Sequence, residues 1–83
     1  MKIKLDPHAI VRAEERGAAV EEIYDTVNSG EVFPAKQGRE GFRKNFIYQN
    51  TWLGKYYENK QLEVFAVNKD NEWIVITVIV KYF

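Results

Sequence analysis

The run Trp73–Val80, WIVITVIV, constrains this chain more than any other stretch, because Thr77 is its only polar member. A segment with no polar side must be covered on both faces. β-Branched residues dominate it, which favours a strand over a helix, and it falls far short of the roughly 18 apolar residues of a membrane-spanning helix. It reads as the central strand of a sheet. Period-two alternation puts Trp73, Val75, Thr77, Ile79 and Lys81 on one face, and Ile74, Ile76, Val78, Val80 and Tyr82 on the other. The second face is expected to receive helices. Thr77 and Lys81 then look toward the opposite surface, where Trp73, Val75 and Ile79 need cover from the loop around Trp52 or from a second subunit.

Upstream, Lys2–Leu5 reads as a short first strand that ends at Asp6-Pro7, an N-cap carboxylate followed by a proline suited to the first helical position. A first helix runs from Pro7 to a glycine stop at Gly17, with Ala9, Ala13 and Ile10 expected against the sheet. In the second helix Val20, Ile23, Tyr24 and Val27 repeat at i, i+3, i+4 and i+7, and Asn28-Ser29-Gly30 ends it. No helical period follows Glu31. Strands are expected over about Val32–Lys36, Phe42–Gln49, Gln61–Val67 and Trp73–Tyr82, with turns at Gln37–Gly41 and Asn68–Asn71. The piece Asn50–Lys60 is an extra strand or a functional loop. The order predicts one α+β domain over residues 1–83, with two N-terminal helices packed on a curved, mostly antiparallel sheet of four to five strands.

With 83 residues and 46% hydrophobic content, the chain suits a single small globular domain. It has no cysteine, which removes disulfides, thiol nucleophiles and zinc–thiolate sites and fits a cytoplasmic location. The opening MKIKLDPHA lacks the apolar segment of a signal or an anchor, so no membrane association is expected. Twelve basic residues balance twelve acidic ones. Residues 6–31 hold seven acids against two bases, a net of −5, and residues 35–60 hold six bases against two acids, a net of +4. Such blocks neutralise one another across a fold, or the basic one meets a phosphate backbone.

His8 is the one side chain that trades protons near neutrality without a perturbed pKa, and Arg12 and Arg16 follow it at helical spacing. Like charges at i and i+4 repel, so this ridge calls for an anion, either an acidic side chain of the fold or a phosphate. One histidine without cysteine makes no metal constellation, and no cofactor motif is present. The lone serine, Ser29, lies in a helix-ending turn, which argues against a serine nucleophile. A metal-free reaction on a phosphodiester remains, and His8, Arg12, Arg16, Lys44, Lys60, Tyr57 and Thr77 are of suitable types. The stretch Gly41–Tyr48 interleaves Arg43 and Lys44 with aromatic rings. That pattern suits single-stranded nucleic acid, and equally a half-buried strand.

The segments His8-Ala9 to Arg12, Glu15-Arg16-Gly17, Asn28–Glu31, Trp52–Tyr57 with Lys60, and the ending Ile76-Thr77-Val78 together resemble a family of small bacterial domains of unknown function. Its marks are an H-A-x-x-R-x-x-E-R-G opening and a terminal I-T-V strand. That family is in turn similar to the RelE, BrnT and barnase-like group, whose helices rest on a curved antiparallel sheet and many of whose members are toxins that cleave RNA without a metal. The resemblance implies an endoribonuclease with His8 as acid or base, Arg12 and Arg16 as phosphate clamps, and Lys60 and Thr77 near the scissile group. Arg43, Lys44 and Tyr57 would bind the nucleic acid. The implied partners are RNA and a cognate antitoxin. A non-catalytic protein-interaction module, with a homodimer among its forms, is the alternative.

Overall fold

The computed structural model describes residues 2–83. The chain runs β1 (Lys2–Leu5), α1 (Pro7–Arg16), α2 (Val20–Ser29), β2 (Glu31–Pro34), β3 (Glu40–Trp52), β4 (Lys55–Lys69) and β5 (Glu72–Tyr82). The strands form one five-stranded sheet in the order β1-β5-β4-β3-β2. The β1–β5 pair is parallel, and the β2–β3, β3–β4 and β4–β5 pairs are antiparallel. Both helices pack on one face, α1 over β5 and α2 over β3 and β4, which makes the two-layer α+β fold expected from the order of the elements.

Local chemistry explains the helices. The Asp6 carboxylate accepts the His8 N–H at 2.9 Å, Pro7 fills the first position, and Gly17 closes α1 in the left-handed region at φ 81°. The N-cap of α2 is Ala19, whose methyl group cannot accept a hydrogen bond, so only the reciprocal half of a capping box forms, the Glu22 carboxylate accepting the Ala19 N–H at 2.9 Å. Three hairpin turns have positive φ at both central residues, Gln37-Gly38, Leu53-Gly54 and Asp70-Asn71. Such turns match the twist of the strands that they join. The piece Asn50–Lys60 is therefore neither a loop nor a separate strand. It is the outer end of one long β3–β4 hairpin.

The buried core is Ala9 and Ala13 of α1, Ile23 and Val27 of α2, and Phe42, Leu62, Val64, Ala66, Val75 and Val78 of the sheet. Two helix expectations are corrected. Ile10 is 42% exposed, and in α2 Val20 and Tyr24 are exposed while Thr26 is buried, because the helix turns toward the sheet the edge on which the Thr26 hydroxyl is satisfied by the Glu22 carbonyl at 2.7 Å.

The Trp73–Val80 run also departs from strict alternation. Phe65 faces Thr77 but Ala66 faces Val75, so Ile76 is left without a partner. This β-bulge shifts the phase by one residue. Trp73 and Val75 consequently join Val78, Val80 and Tyr82 on the helix side, and Trp73 meets Phe42 edge-to-face with ring centroids 5.1 Å apart. α1 packs over β5, so the Trp52 loop is not what covers Trp73 and Val75, whereas Ile79 stays on the open face at 37% exposure. The middle strand is β4 rather than β5. β1 pairs with β5 only through Val75, and past that point β5 is a sheet edge.

Candidate nucleic-acid interface on the open sheet face

The strand register sorts the expected site residues between two places. On the helix side, Arg16, Lys60 and Tyr82 converge where α1 ends. Arg16 Nη1 donates to the Val78 carbonyl at 2.6 Å, on the half of β5 that β1 leaves uncovered. Lys60 Nζ donates to the Gly17 carbonyl at 2.8 Å and lies 2.7 Å from a Glu22 carboxylate oxygen. The Tyr82 hydroxyl donates to the Arg16 carbonyl at 2.7 Å. Lys60 and Tyr82 thus satisfy carbonyls that the end of α1 would leave bare, and Arg16 satisfies one on β5. Around them Tyr82 stacks on Trp52 at 5.0 Å and touches Tyr48 and Tyr57. Burial, with the neighbouring Tyr48 and Glu22 charges, pushes the Tyr82 hydroxyl up to about 12, so it stays a neutral donor.

His8 and Arg12 stand apart from that junction. The His8 side chain is exposed, and Arg12 pairs with Glu15 one turn on at 3.0 Å, so the ridge finds part of its anion within its own helix. Lys44 turns toward α2, where it lies 2.7 Å from Asp25 and 2.9 Å from the Ser29 hydroxyl. The hydrogen bonds from Lys44 and Ser29 hold the Asp25 carboxyl below its usual range. Tyr57 belongs to the aromatic cluster on the helix side. Three ion pairs, Lys60–Glu22, Lys44–Asp25 and Arg43–Glu31, join the basic segment to the acidic one, so the two charge blocks do neutralise one another across the fold.

Arg43 and Thr77 lie on the other face, which no helix covers. Two rows cross it by register. The first, Glu31, Arg43, Glu63 and Ile79, carries a chain of charges. Arg43 lies 3.0 Å from Glu31 and 3.2 Å from Glu63, and Glu63 also meets Lys81 at 3.4 Å. The Glu63 side chain is only 10% exposed. In the second row Phe33, Gly41, Phe65 and Thr77 stand side by side. Phe33 and Phe65 make an edge-to-face pair at 5.8 Å, and Arg43 lies over the Phe33 ring at 4.2 Å. Gly41 is required here, because a Cβ would sit 2.5 Å from the Phe33 ring. At the end of this row an open cleft of about 370 Å³ is lined by Phe33, Phe65, Lys36 and Arg39 among others.

Arg16 and Lys60 are thus brought together, while Thr77 is separated from them by the thickness of the sheet. Glu63, Phe33, Phe65, Lys36 and Arg39 were not singled out from the sequence. A signal for Glu63 existed, since it interrupts the apolar run Leu62–Val67 in phase with Phe65 and out of phase with Leu62, Val64 and Ala66. Among the described residues, no group of three His, Asp or Glu residues is placed to hold a metal ion, and no helix is long and apolar enough to cross a membrane. No curated protein and no solved structure gives a significant match to the chain. A family model does match, over residues 5–80, and the chain belongs to that family, DUF4258, a domain of unknown function.

Proposed function

We propose that the protein is a metal-independent endoribonuclease of the toxin type that lays single-stranded RNA across the bare face of its sheet. One observation carries this. In a chain of zero net charge, one part of the uncovered face gathers Lys36, Arg39, Arg43 and Lys81 against Glu31 and Glu63, beside an aromatic pair. Cations follow a phosphate backbone and rings stack on bases with little regard to sequence. Glu63 is the carboxylate held among those cations. It would take the proton of a ribose 2′-hydroxyl, whose oxygen attacks the adjacent phosphorus as the bond to the 5′-oxygen breaks. The leaving oxygen takes its proton from water, Arg43 and Lys81 offset the charge that builds on the phosphoryl oxygens, and Thr77 in the next row orients the group. The cytoplasm, where RNA is found, is the corresponding location.

The test uses a labelled single-stranded RNA in EDTA with the wild type, Glu63→Gln and His8→Ala. Cleavage by the wild type and by His8→Ala, with loss in Glu63→Gln, is the expected result. Loss in His8→Ala alone would move the chemistry to α1, where His8 and Arg12 stand with Arg16 at the helix end. RNA left intact by the wild type would sink the enzyme. The non-catalytic alternative, a module for an antitoxin or a second copy, is favoured by a different observation. The β3–β4 hairpin ends in apolar residues with no cover, Leu53 at 88% and Ile47 at 80% exposure.

A further inference from the structure

We infer that the cleft beside the β2–β3 turn is a nucleotide subsite, which takes one base of single-stranded RNA against Phe33 and Phe65 and its phosphate between Lys36 and Arg39. The assignment rests on the RNA-binding function proposed above and gives it a fixed point on the face. The turn is built to present the two cations. Gln37 and Gly38 have φ of 61° and 71°, and the Arg39 N–H donates to the Lys36 carbonyl at 3.3 Å, so both side chains start from the two ends of one tight turn. Among the described residues neither has a carboxylate within ion-pair distance, whereas Arg43, Lys44, Lys60 and Lys81 all do. An unneutralised pair of cations at the mouth of a cleft is an anion site in want of its anion.

The walls specify more than an anion. Phe33 and Phe65 stand at 89° to one another and Arg43 already lies over the Phe33 ring, so a planar guest would meet the remaining ring surface of the pair and the guanidinium plane beside it. Gly41 holds this open, since any side chain there would drive into Phe33. A cleft of about 370 Å³ falls in the range of small-ligand sites, roughly 300–1,000 Å³. An aromatic wall, two cations and that size together fit a nucleoside phosphate better than a free inorganic ion, which has no use for the rings.

Two measurements on the full chain test this. The first follows backbone amides by NMR while AMP, UMP or inorganic phosphate is added. Shifts confined to Phe33–Gly41 and Phe65 are expected with the nucleotides and are smaller with phosphate. Equal shifts with phosphate, or none with either nucleotide, overturn the subsite. The second compares a single-stranded RNA 12-mer on the wild type, Lys36→Ala/Arg39→Ala and Phe33→Leu, the last keeping apolar volume over Gly41 while removing the ring. The double variant should lower the slope of log K against log salt by about 0.7, the value of one phosphate contact on a single strand. Phe33→Leu should weaken binding about tenfold with the slope unchanged. A 12-mer that binds all three proteins alike removes the subsite and leaves RNA binding standing. A 12-mer that ignores the wild type, while AMP still shifts the cleft, removes the RNA-binding function and leaves a mononucleotide site.

Discussion

Lys60 carries more of the fold than a surface lysine could. Its ammonium is nearly buried, donates to the Gly17 carbonyl and pairs with Glu22, whose carboxylate also receives the Ala19 N–H. One contact set therefore ties the end of α1 to the start of α2 and both to β4. Lys60→Met should lower stability by about 2 kcal/mol in urea denaturation, below the cost of breaking a fully buried pair because Glu22 keeps some access to water. Were Lys60 a catalytic group instead, the same variant would lose cleavage while its urea midpoint stayed put. Gly17 is equally constrained. Alanine there would meet left-handed strain and run into Tyr82 and Trp52, so Gly17→Ala should cost about 3 kcal/mol from the two effects together. Tyr82 adds a pH signature. Its hydroxyl ionises near 12 in the folded chain against 10.0 ordinarily. A raised pKa means that the contribution is complete below pH 10 and is lost as pH climbs toward 12. Tyr82→Phe should lack that part of the alkaline fall in stability, and two urea-stability curves of equal alkaline slope would refute the assignment.

At the scale of elements, β5 separates what a sequence can reveal from what it conceals. Strand identity was legible because a β-branched run bounded by turn residues has few other solutions, and α1 was legible from Asp6-Pro7 and Gly17. Strand position was not, since interior burial on both faces looks alike next to a short β1 or a long neighbour. The face assignment failed for a definite cause. A bulge adds one residue without leaving any compositional mark, so every position before Ile76 was read on the wrong side relative to every position after it. The pattern also shows why the bulge can be removed. Without Ile76, the order Trp73, Val75, Val78, Val80 and Tyr82 on the helix side becomes strictly alternating, with Ile74, Thr77, Ile79 and Lys81 opposite. Deleting Ile76 should therefore leave a folded protein with a lowered melting temperature. Deletion of Ile79, three residues on, turns Val80 and Tyr82 out of the core and should abolish cooperative melting; a folded variant there would mean that β5 tolerates slippage in general.

Over the whole molecule, zero net charge conceals an arrangement. Ion pairs between the acidic helices and the basic strands neutralise the helix side, whereas the part of the bare face around Phe33 and Glu63 holds the cations Lys36, Arg39, Arg43 and Lys81 against the carboxylates Glu31 and Glu63, a local net of +2. None of this could be read from charge counts, because a strand alternates its side chains between faces and Arg43 and Lys44, adjacent in sequence, end on opposite sides of the sheet. Of the residues that the family resemblance highlights, Arg16 and Lys60 do meet, and their donors face carbonyls and a carboxylate of the fold itself. Glu63 then becomes the informative residue, since it sits between Arg43 and Lys81 and reduces the field both present to a phosphate. Glu63→Gln removes one negative charge from the face and frees those cations without changing the shape of the site. RNA binding should tighten and its slope against log salt should steepen by about 0.7, even as cleavage is lost. Opposite signs on binding and cleavage are what a base set among phosphate-binding cations requires. A carboxylate that merely braced the strands would, on substitution, weaken binding and stability together, and a fall in both would rule out the catalytic role of Glu63.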